Sequence, residues 1–438
     1  MIYNTNGPLN PVLHEKILVD RDELGKCLSL LKNSDCYLAI AGPRQFGKTT
    51  LLYQIQHNLP SSKYGVAYID FENMGDYDKT KFYSVVSSNI WKNLRPALEN
   101  VQKEYSTHKV IDQDGFIKFL IYVSEHAPKF QKIFFLLDEV GGMPREIAWT
   151  SFLPSLRSIF HIGRSSSKDR KACSRLRFVF AGSTDLLTYV KHNSPIYNVC
   201  ERVDVNEFNK DQVLKLVRNL TVYNEDQQKE IAKIVFDWTE GHPYLTQKIL
   251  SIVDENKINM SNGSNSEKEI NKLIESKILL GQDKNLSHLI KTLESKPDFK
   301  KIVYPIYKKE VNKKDVQYKE ELLTEGLIKI NAESHFLEPR NKVYFQAVNS
   351  LLEINPPVSE LNTKSTIIGV MKNILSLPKY IGGFVLDTFG RHDAELSTKI
   401  LWGYVILAVT IWIAFGNVDI TDVVKAFVDI WRFFFPVK

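Results

Sequence analysis

Residues 36–55 read CYLAIAGPRQFGKTTLLYQI. The first six, from Cys36 to Ala41, form an unbroken apolar run of strand type; Gly42 and Pro43 then turn the chain, and a helix opens at Lys48. Within this stretch Gly42-Pro43-Arg44-Gln45-Phe46-Gly47-Lys48-Thr49 satisfies the pattern G-x-x-x-x-G-K-[ST]. The chemistry behind that spacing is specific. Glycines let successive backbone N–H groups curl around a phosphate, and the helix that follows adds the positive end of its dipole. Lys48 is expected to pair with β- and γ-phosphates, and Thr49 to place its hydroxyl on Mg²⁺, with Arg44, Gln45 and Thr50 completing the contacts. A chance match of eight residues has no reason to fall between a strand and a helix, and this one does.

Three further apolar runs lie outward of it: GVAYID from Gly65 to Asp70, KIFFLLDEV from Lys132 to Val140, and RLRFVFAGST from Arg175 to Thr184. They are near-continuously hydrophobic rather than alternating, as strands covered by helices on both faces are. A helical stretch, FLPSLRSIFH, separates the last two. Alternating strands and helices predict an α/β fold with a parallel sheet and right-handed crossovers. The third run ends in two carboxylates, Asp138 and Glu139, the Walker B arrangement: Asp138 would hold the magnesium shell and Glu139 would orient or deprotonate an attacking water. Ser183 and Thr184 end the fourth run, where a polar side chain either senses a γ-phosphate or simply forms a turn.

The 438 residues predict about three domains at ~150 residues each. Composition is that of an ordinary folded protein, with 43% hydrophobic and 25% charged residues, which excludes a disordered, fibrous or polytopic membrane chain. Cys27, Cys36, Cys173 and Cys200 have no metal-ligand spacing and are too sparse for a disulfide framework, so a reducing compartment is expected. The first twenty residues carry Pro8, Pro11 and mixed charges where a signal peptide needs an apolar core, which places the first domain in the cytosol. A net charge of +6, from 57 basic and 51 acidic residues, is too small and scattered to announce nucleic acid.

The pattern divides the chain at 1–206, 207–284, 285–353, 354–398 and 399–438. After Val205 the strands stop, and Asn209 with Gln212 gives a capping-box start to a helical region. SNGSNSEKE marks a loop. Toward residue 353 a helix ends at Gly326, two short β runs form a hairpin and a helix follows, which is a winged-helix order. INPPVSELNTKST, residues 354–366, reads as a linker ahead of a possible amphipathic segment. Residues 400–418, ILWGYVILAVTIWIAFGNV, hold no charge; nineteen helical residues span about 28 Å against a hydrocarbon core of ~30 Å, so one membrane crossing through Ile400 to Phe415 is expected. Trp402, Tyr404 and Trp412 suit interfacial belts, and Lys372, Lys379 and Arg391 favour a cytosolic near side. A buried core helix is the alternative. The tail beyond, with Asp422, Lys425, Asp429 and Arg432 on one face, is amphipathic.

GPRQFGKTTLL, FFLLDEV, FLPSLRSIF, RLRFVFAGST, SPIYNVCERVDVNEFNKDQV, EGHPYLTQ and EGLIKI with FLEPRNKVYFQAVN occur in an order that resembles the prokaryotic AAA-like ATPase domain, over roughly residues 7–352. That domain is related to the STAND signalling ATPases and to origin-recognition-like ATPases. The resemblance implies a P-loop NTPase sheet with helices on both faces, a helical lid, a winged helix used for intramolecular packing, and ATP with Mg²⁺ as ligands. It gives VDRDEL, with Arg21, a place beside the adenine, and Gly241-His242-Pro243 the role of a lid motif that closes on nucleotide; His242 would either touch phosphate or support the lid. Gly141-Gly142-Met143 departs from the further acidic residue the family commonly carries after Asp-Glu-Val. Arg157, Arg175 and Arg202 are candidates for an arginine finger. The implied protein is a stress or anti-phage signalling effector at the inner membrane, with its ATPase domain cytoplasmic. It would assemble as a homo-oligomer on activation and take its trigger from a separate sensor protein. The alternatives are a membrane-tethered ATPase acting on a protein or DNA client, and an origin-recognition-like DNA binder, disfavoured by Glu333 and Glu338 on the wing.

Overall fold

A computed structural model describes residues 2–99, 105–182, 196–260, 263–281, 283–307, 319–331 and 336–354. Five parallel strands form one sheet: β1 (Tyr37–Ala41), β2 (Tyr64–Asp70), β3 (Lys132–Asp138), β4 (Leu176–Phe180) and β5 (Cys200–Asp204), in the order β2-β3-β4-β1-β5. Side chains of successive residues leave a strand on opposite faces, and both faces here are buried. Ile133, Phe135 and Leu137 of β3, with Phe178 and Phe180 of β4, join one core under α3 (Lys79–Leu94), α4 (Gln113–Glu125) and α5 (Leu153–Ile162). Phe134 and Leu136, with Leu38 and Ile40 of β1, join a second core under α1 (Asp22–Asn33) and α2 (Lys48–Asn58). The result is the expected α/β layering, with helices on both faces of a parallel sheet.

One strand escaped the sequence reading. β5 pairs with β1 from Tyr37↔Cys200 to Ala41↔Asp204, yet of CERVD only Val203 is buried. It is an edge strand with charges on its open side, and nothing in its pattern repeats the apolar runs of its neighbours.

Beyond the sheet come α6 (Lys210–Val217), α7 (Glu225–Thr239), α8 (Pro243–Asn256), α9 (Gly263–Ile274), α10 (Lys284–Ser295), α11 (Pro297–Tyr307) and α12 (Lys319–Glu325). An antiparallel hairpin of β6 (Ile328–Ile330) and β7 (Leu337–Pro339) follows, then α13 (Lys342–Ile354). The capping box of Asn209 and Gln212 is present at the start of α6, and Asn224 with Gln227 makes a second one at α7. Gly326, at φ +85°, ends α12 where the sequence placed its stop. The stretch SNGSNSEKE was expected to be a loop, but its last seven residues belong to α9, whose Ile270 and Ile274 are buried. An amphipathic second half carries the polar start into the helix.

A third core gathers these helices and the hairpin, and it also takes in Tyr3, Ile17 and Val19 from the N-terminal segment. That segment therefore bridges toward the helical region, with the Tyr3 hydroxyl donating to the Leu216 carbonyl at 2.8 Å. No described helix is long and apolar enough to cross a membrane. The expected crossing at Ile400 to Phe415, the linker and the amphipathic tail all lie outside the described residues.

Candidate functional site

The site lies where β1 and β3 end, at the carboxyl edge of the parallel sheet. β1 delivers the chain into a loop that turns into α2 at Gly47, which adopts φ +83° in the left-handed region glycine tolerates. Gln45 also sits at φ 62°, a costly conformation for a residue with a side chain, of the kind found at binding loops. Lys48 is 6% exposed, and its ammonium donates to the carbonyls of Gly42 (2.8 Å) and Pro43 (2.6 Å). The cation is thus folded back over its own loop, at the place where anionic oxygens would be held.

Around this loop is a cavity of about 530 Å³. Arg44, Gln45, Gly47, Lys48, Thr49 and Thr50 form one part of its wall, and Glu72, Glu139, Gly141 and Gly142 another. Asp138 ends β3 just behind. The residue is 2% exposed, and its carboxylate accepts from the Tyr68 hydroxyl at 2.8 Å and the Glu139 N–H at 3.0 Å, with the Thr49 side chain close beside it. Burial raises the Asp138 pKa and these hydrogen bonds oppose the rise. A buried carboxylate against the Thr49 hydroxyl, beside a phosphate loop, is an oxygen donor set of the kind Mg²⁺ takes, one or two protein oxygens with phosphate and water supplying the rest. Among the described residues no group of three or more His, Cys, Asp and Glu side chains could hold a metal by itself.

Glu139 lines the cavity at φ 46°, held there by the Val140 N–H donating to Ala181 and the Gly142 N–H donating to Glu139. A Cβ on Gly142 would collide with the Phe71 carbonyl, so the loop after Glu139 packs directly on the backbone after β2.

Arg21 lines the cavity too, but its guanidinium is committed to backbone: it donates to Phe46 O and Asn206 O, each at 3.0 Å, and stacks 4.7 Å from the Phe208 ring. Burial brings its pKa down to about 10, with Glu23 and Glu207 opposing, so it stays charged at neutral pH. Its position makes it a brace of the phosphate loop. The Thr50 hydroxyl accepts from the Leu9 N–H at 3.1 Å and draws the N-terminal segment over α2. Gly42 packs against the Val205 carbonyl at the loop's base. Pro243 lines the cavity as the first residue of α8.

His242 does not. Its ring is fully buried, accepts from the Leu245 N–H (3.4 Å) as the cap of α8, and meets the Tyr344 hydroxyl at 2.9 Å and the Phe46 ring edge-on at 4.8 Å. The expectation of a phosphate contact gives way to that of a support behind the loop, because every polar atom of the imidazole is engaged away from the cavity. Burial beside the Arg340 guanidinium lowers its pKa to about 3. Ser183 lies outside the described residues. Of the arginine-finger candidates, Arg175 is a half-buried brace donating to the carbonyls of Ser124, Ala127 and Phe130. Arg157 bonds His161 on its own helix, and Arg202 pairs with Asp204.

Sequence reasoning missed Tyr68, Glu72, Phe208, Tyr244, Gln247 and the wall formed by residues 4–9 and 17–19. Several lie inside stretches already quoted, Tyr244 and Gln247 in EGHPYLTQ, Phe208 in SPIYNVCERVDVNEFNKDQV, Tyr68 in GVAYID and Val19 in VDRDEL, but no pattern there marks them as cavity residues. Packing across long separations brings them in.

A parallel sheet with this loop, the buried Asp138 and the half-buried, cavity-lining Glu139 defines the P-loop ATPase class of fold. The chain belongs to the AAA-like domain family, whose pattern it matches over residues 9–347. Among solved structures it is similar to the Walker-type ATPase of Pyrococcus abyssi, with 15% identity, a TM-score of 0.54, and coverage of 80% of this chain and all of that one. The Aeropyrum pernix ORC2 protein is similar at 12% identity and a TM-score of 0.44, covering 81% of this chain and 97% of that one. An uncharacterized WD repeat-containing protein of Synechocystis sp. is 24% identical over 237 residues, which is 50% of this chain; the match spans 18% of that relative's length.

Proposed function

We propose that the chain is an ATP- and Mg²⁺-binding switch ATPase that controls a C-terminal membrane segment as a stress or anti-phage signalling effector. The observation that carries the nucleotide half is the one cavity lined by Lys48, Thr49 and Glu139, with the buried Asp138 carboxylate behind it beside Thr49. In this reading the Lys48 ammonium exchanges its two loop carbonyls for β- and γ-phosphate oxygens. Thr49 and Asp138 hold Mg²⁺, which would neutralise charge developing on the phosphates. Glu139 takes the proton of the attacking water, and Arg44, Gln45 and Thr50 line the phosphate path.

The switch half is supported by how the loop is backed. The Arg44 N–H donates to Thr324 O at 3.3 Å, and Arg340 lies 5.1 Å from the Phe46 ring while donating to Gly326 O, Ile328 O and Glu207. Helices α6 to α9 act as the lid, and α10 through α13 with the hairpin as a winged-helix domain packed on the phosphate loop. A ligand that binds one arrangement of these parts better than another shifts their balance, and the linker would pass that shift to Ile400 to Phe415, which crosses the inner membrane once. Homo-oligomers form on activation, and a separate sensor protein supplies the trigger.

A tethered ATPase acting on a protein or DNA client is the second reading. Lys329 of the hairpin is paired with Glu240 and Glu338, so this basic residue offers little to a phosphate backbone and nucleic acid is the weaker client. The test is nucleotide affinity and dye entry side by side. Lys48→Ala should lose ATP binding by at least about a hundredfold, since the ammonium to phosphate contacts are charge-assisted. In cells it should also abolish entry of a membrane-impermeant dye seen with the full chain. Unchanged ATP affinity in Lys48→Ala would sink the phosphate site; dye entry that persists in it would sink the switch.

A further inference from the structure

We infer that Gln247 is the residue by which the cavity selects adenine over guanine, an inference that rests on reading the cavity as a nucleoside triphosphate site. The wall divides by chemistry. Around the phosphate loop it is charged and polar; elsewhere Leu9, Ile17, Val19, Phe208 and Pro243 supply an apolar surface, interrupted by polar side chains such as Asn4, Gln54 and Tyr244. With phosphates held by the loop, a flat purine belongs against the apolar part. Gln247 lines the cavity too and sits four residues after Pro243 on α8, which puts the two on one helical face.

The hydrogen bonding of Gln247 is half finished. Its Nε2 donates to the Ile17 carbonyl at 3.0 Å. A carbonyl oxygen can be met only by the NH₂ end of the amide, so this bond decides which end is which. The other end, Oε1, is a buried acceptor with no partner, in a residue only 6% exposed. Buried polar atoms in native proteins are nearly always satisfied, and an exception calls for an explanation. Gln54 donates to the Val19 carbonyl at 3.3 Å, so two glutamines from different helices pin residues 17–19. The amide of Gln247 is held in place rather than free to turn.

An unmet acceptor selects for a donor. Adenine carries an exocyclic amine at the six position; guanine carries a carbonyl there, which would face Oε1 acceptor to acceptor. Discrimination of this kind is steep, because the wrong base leaves a buried polar atom unpaired. Gln45 also has a buried Oε1 without a partner, but it belongs to the phosphate loop, where the ligand offers no donor.

The test measures dissociation constants of ATP, GTP and purine riboside triphosphate, the ATP analogue that lacks only the six-amino group, on the full chain with Mg²⁺. ATP should bind about tenfold more tightly than the analogue, as one net hydrogen bond allows, and GTP should be weaker than both. In Gln247→Met, of similar length but without the acceptor, the advantage of ATP over the analogue should fall to about one. Equal binding of ATP and the analogue by the unmodified chain would overturn the proposal without recourse to any variant. So would an advantage that survives in Gln247→Met, or a loss there shared equally by all three nucleotides, which would make Gln247 only a strut for Ile17. Failure of the unmodified chain to bind any of the three would overturn the nucleotide reading itself, a result distinct from all of these.

Discussion

His242 shows how a single buried group makes stability depend on pH. Because Nδ1 accepts from Leu245, Nε2 must carry the proton and donate to the Tyr344 oxygen, and the Tyr344 hydroxyl in turn donates to Asn285 Oδ1 at 2.7 Å. Protonating Nδ1 would set two donors against each other, next to a guanidinium. The folded pKa near 3 lies below the ordinary 6.5, so between those values the unfolded chain binds a proton that the folded chain refuses. Stability from this residue is complete above pH 6.5 and is lost as pH falls toward 3. Acidifying from pH 7 to 5 should cost roughly 2 kcal/mol through His242 alone. Asp138, whose folded pKa is raised, acts with the opposite sign, gaining stability as pH falls toward its own range. Comparing urea unfolding of the unmodified chain with His242→Asn, which can still cap α8, isolates the histidine: the fall in stability between pH 7 and 5 should shrink by about that amount in the variant. An unchanged slope would mean that His242 titrates normally when folded.

Helix α13 is held to α8 and α10 by the same chain of hydrogen bonds, which gives an element-level prediction. Tyr344 is 1% exposed. Removing only its hydroxyl in Tyr344→Phe leaves the His242 Nε2–H and Asn285 Oδ1 without it, two buried groups on two other helices. The expected loss is about 1–3 kcal/mol, read as a lower urea midpoint with the slope preserved; no loss would mean that water or a shifted side chain replaces the hydroxyl. Nothing in the sequence marks this contact, since residues 242, 285 and 344 meet only through tertiary packing. The sheet was far more legible. β1, β3 and β4 are continuous apolar runs because helices cover both faces, and the loop at Gly42–Thr49 and the Asp138-Glu139 pair are local patterns that survive any rearrangement elsewhere. β5 was hidden because an edge strand need not be apolar, and α9 because its first turn is polar. Of the cavity, the phosphate end was readable from one segment, whereas the apolar end, drawn from residues 9, 17, 19, 208 and 243, was readable only in part through Gly241-His242-Pro243.

At the scale of the molecule, the phosphate loop is clasped from both sides in sequence: Arg21 and the N-terminal segment hold it from before, and Arg340 with the Gly326 turn from after. A change at Lys48 therefore has a mechanical path toward α13, after which the chain runs through Pro356 and Pro357 to the uncharged stretch at 400–418. The proposed output depends on that stretch entering lipid. Its length as a helix, about 28 Å, matches a hydrocarbon core of ~30 Å, and burying so many Leu, Ile, Val, Trp and Phe side chains in lipid would hold the chain against high pH. In membranes from cells expressing the full chain, the protein should stay in the pellet after alkaline carbonate extraction, while a chain ending at residue 398 should be released to the supernatant. Release of the full chain would make the stretch a core helix packed against protein, and the switch would then need an output other than the membrane. Retention of the shortened chain would shift membrane attachment to residues 354–398, where the sequence already places an amphipathic segment.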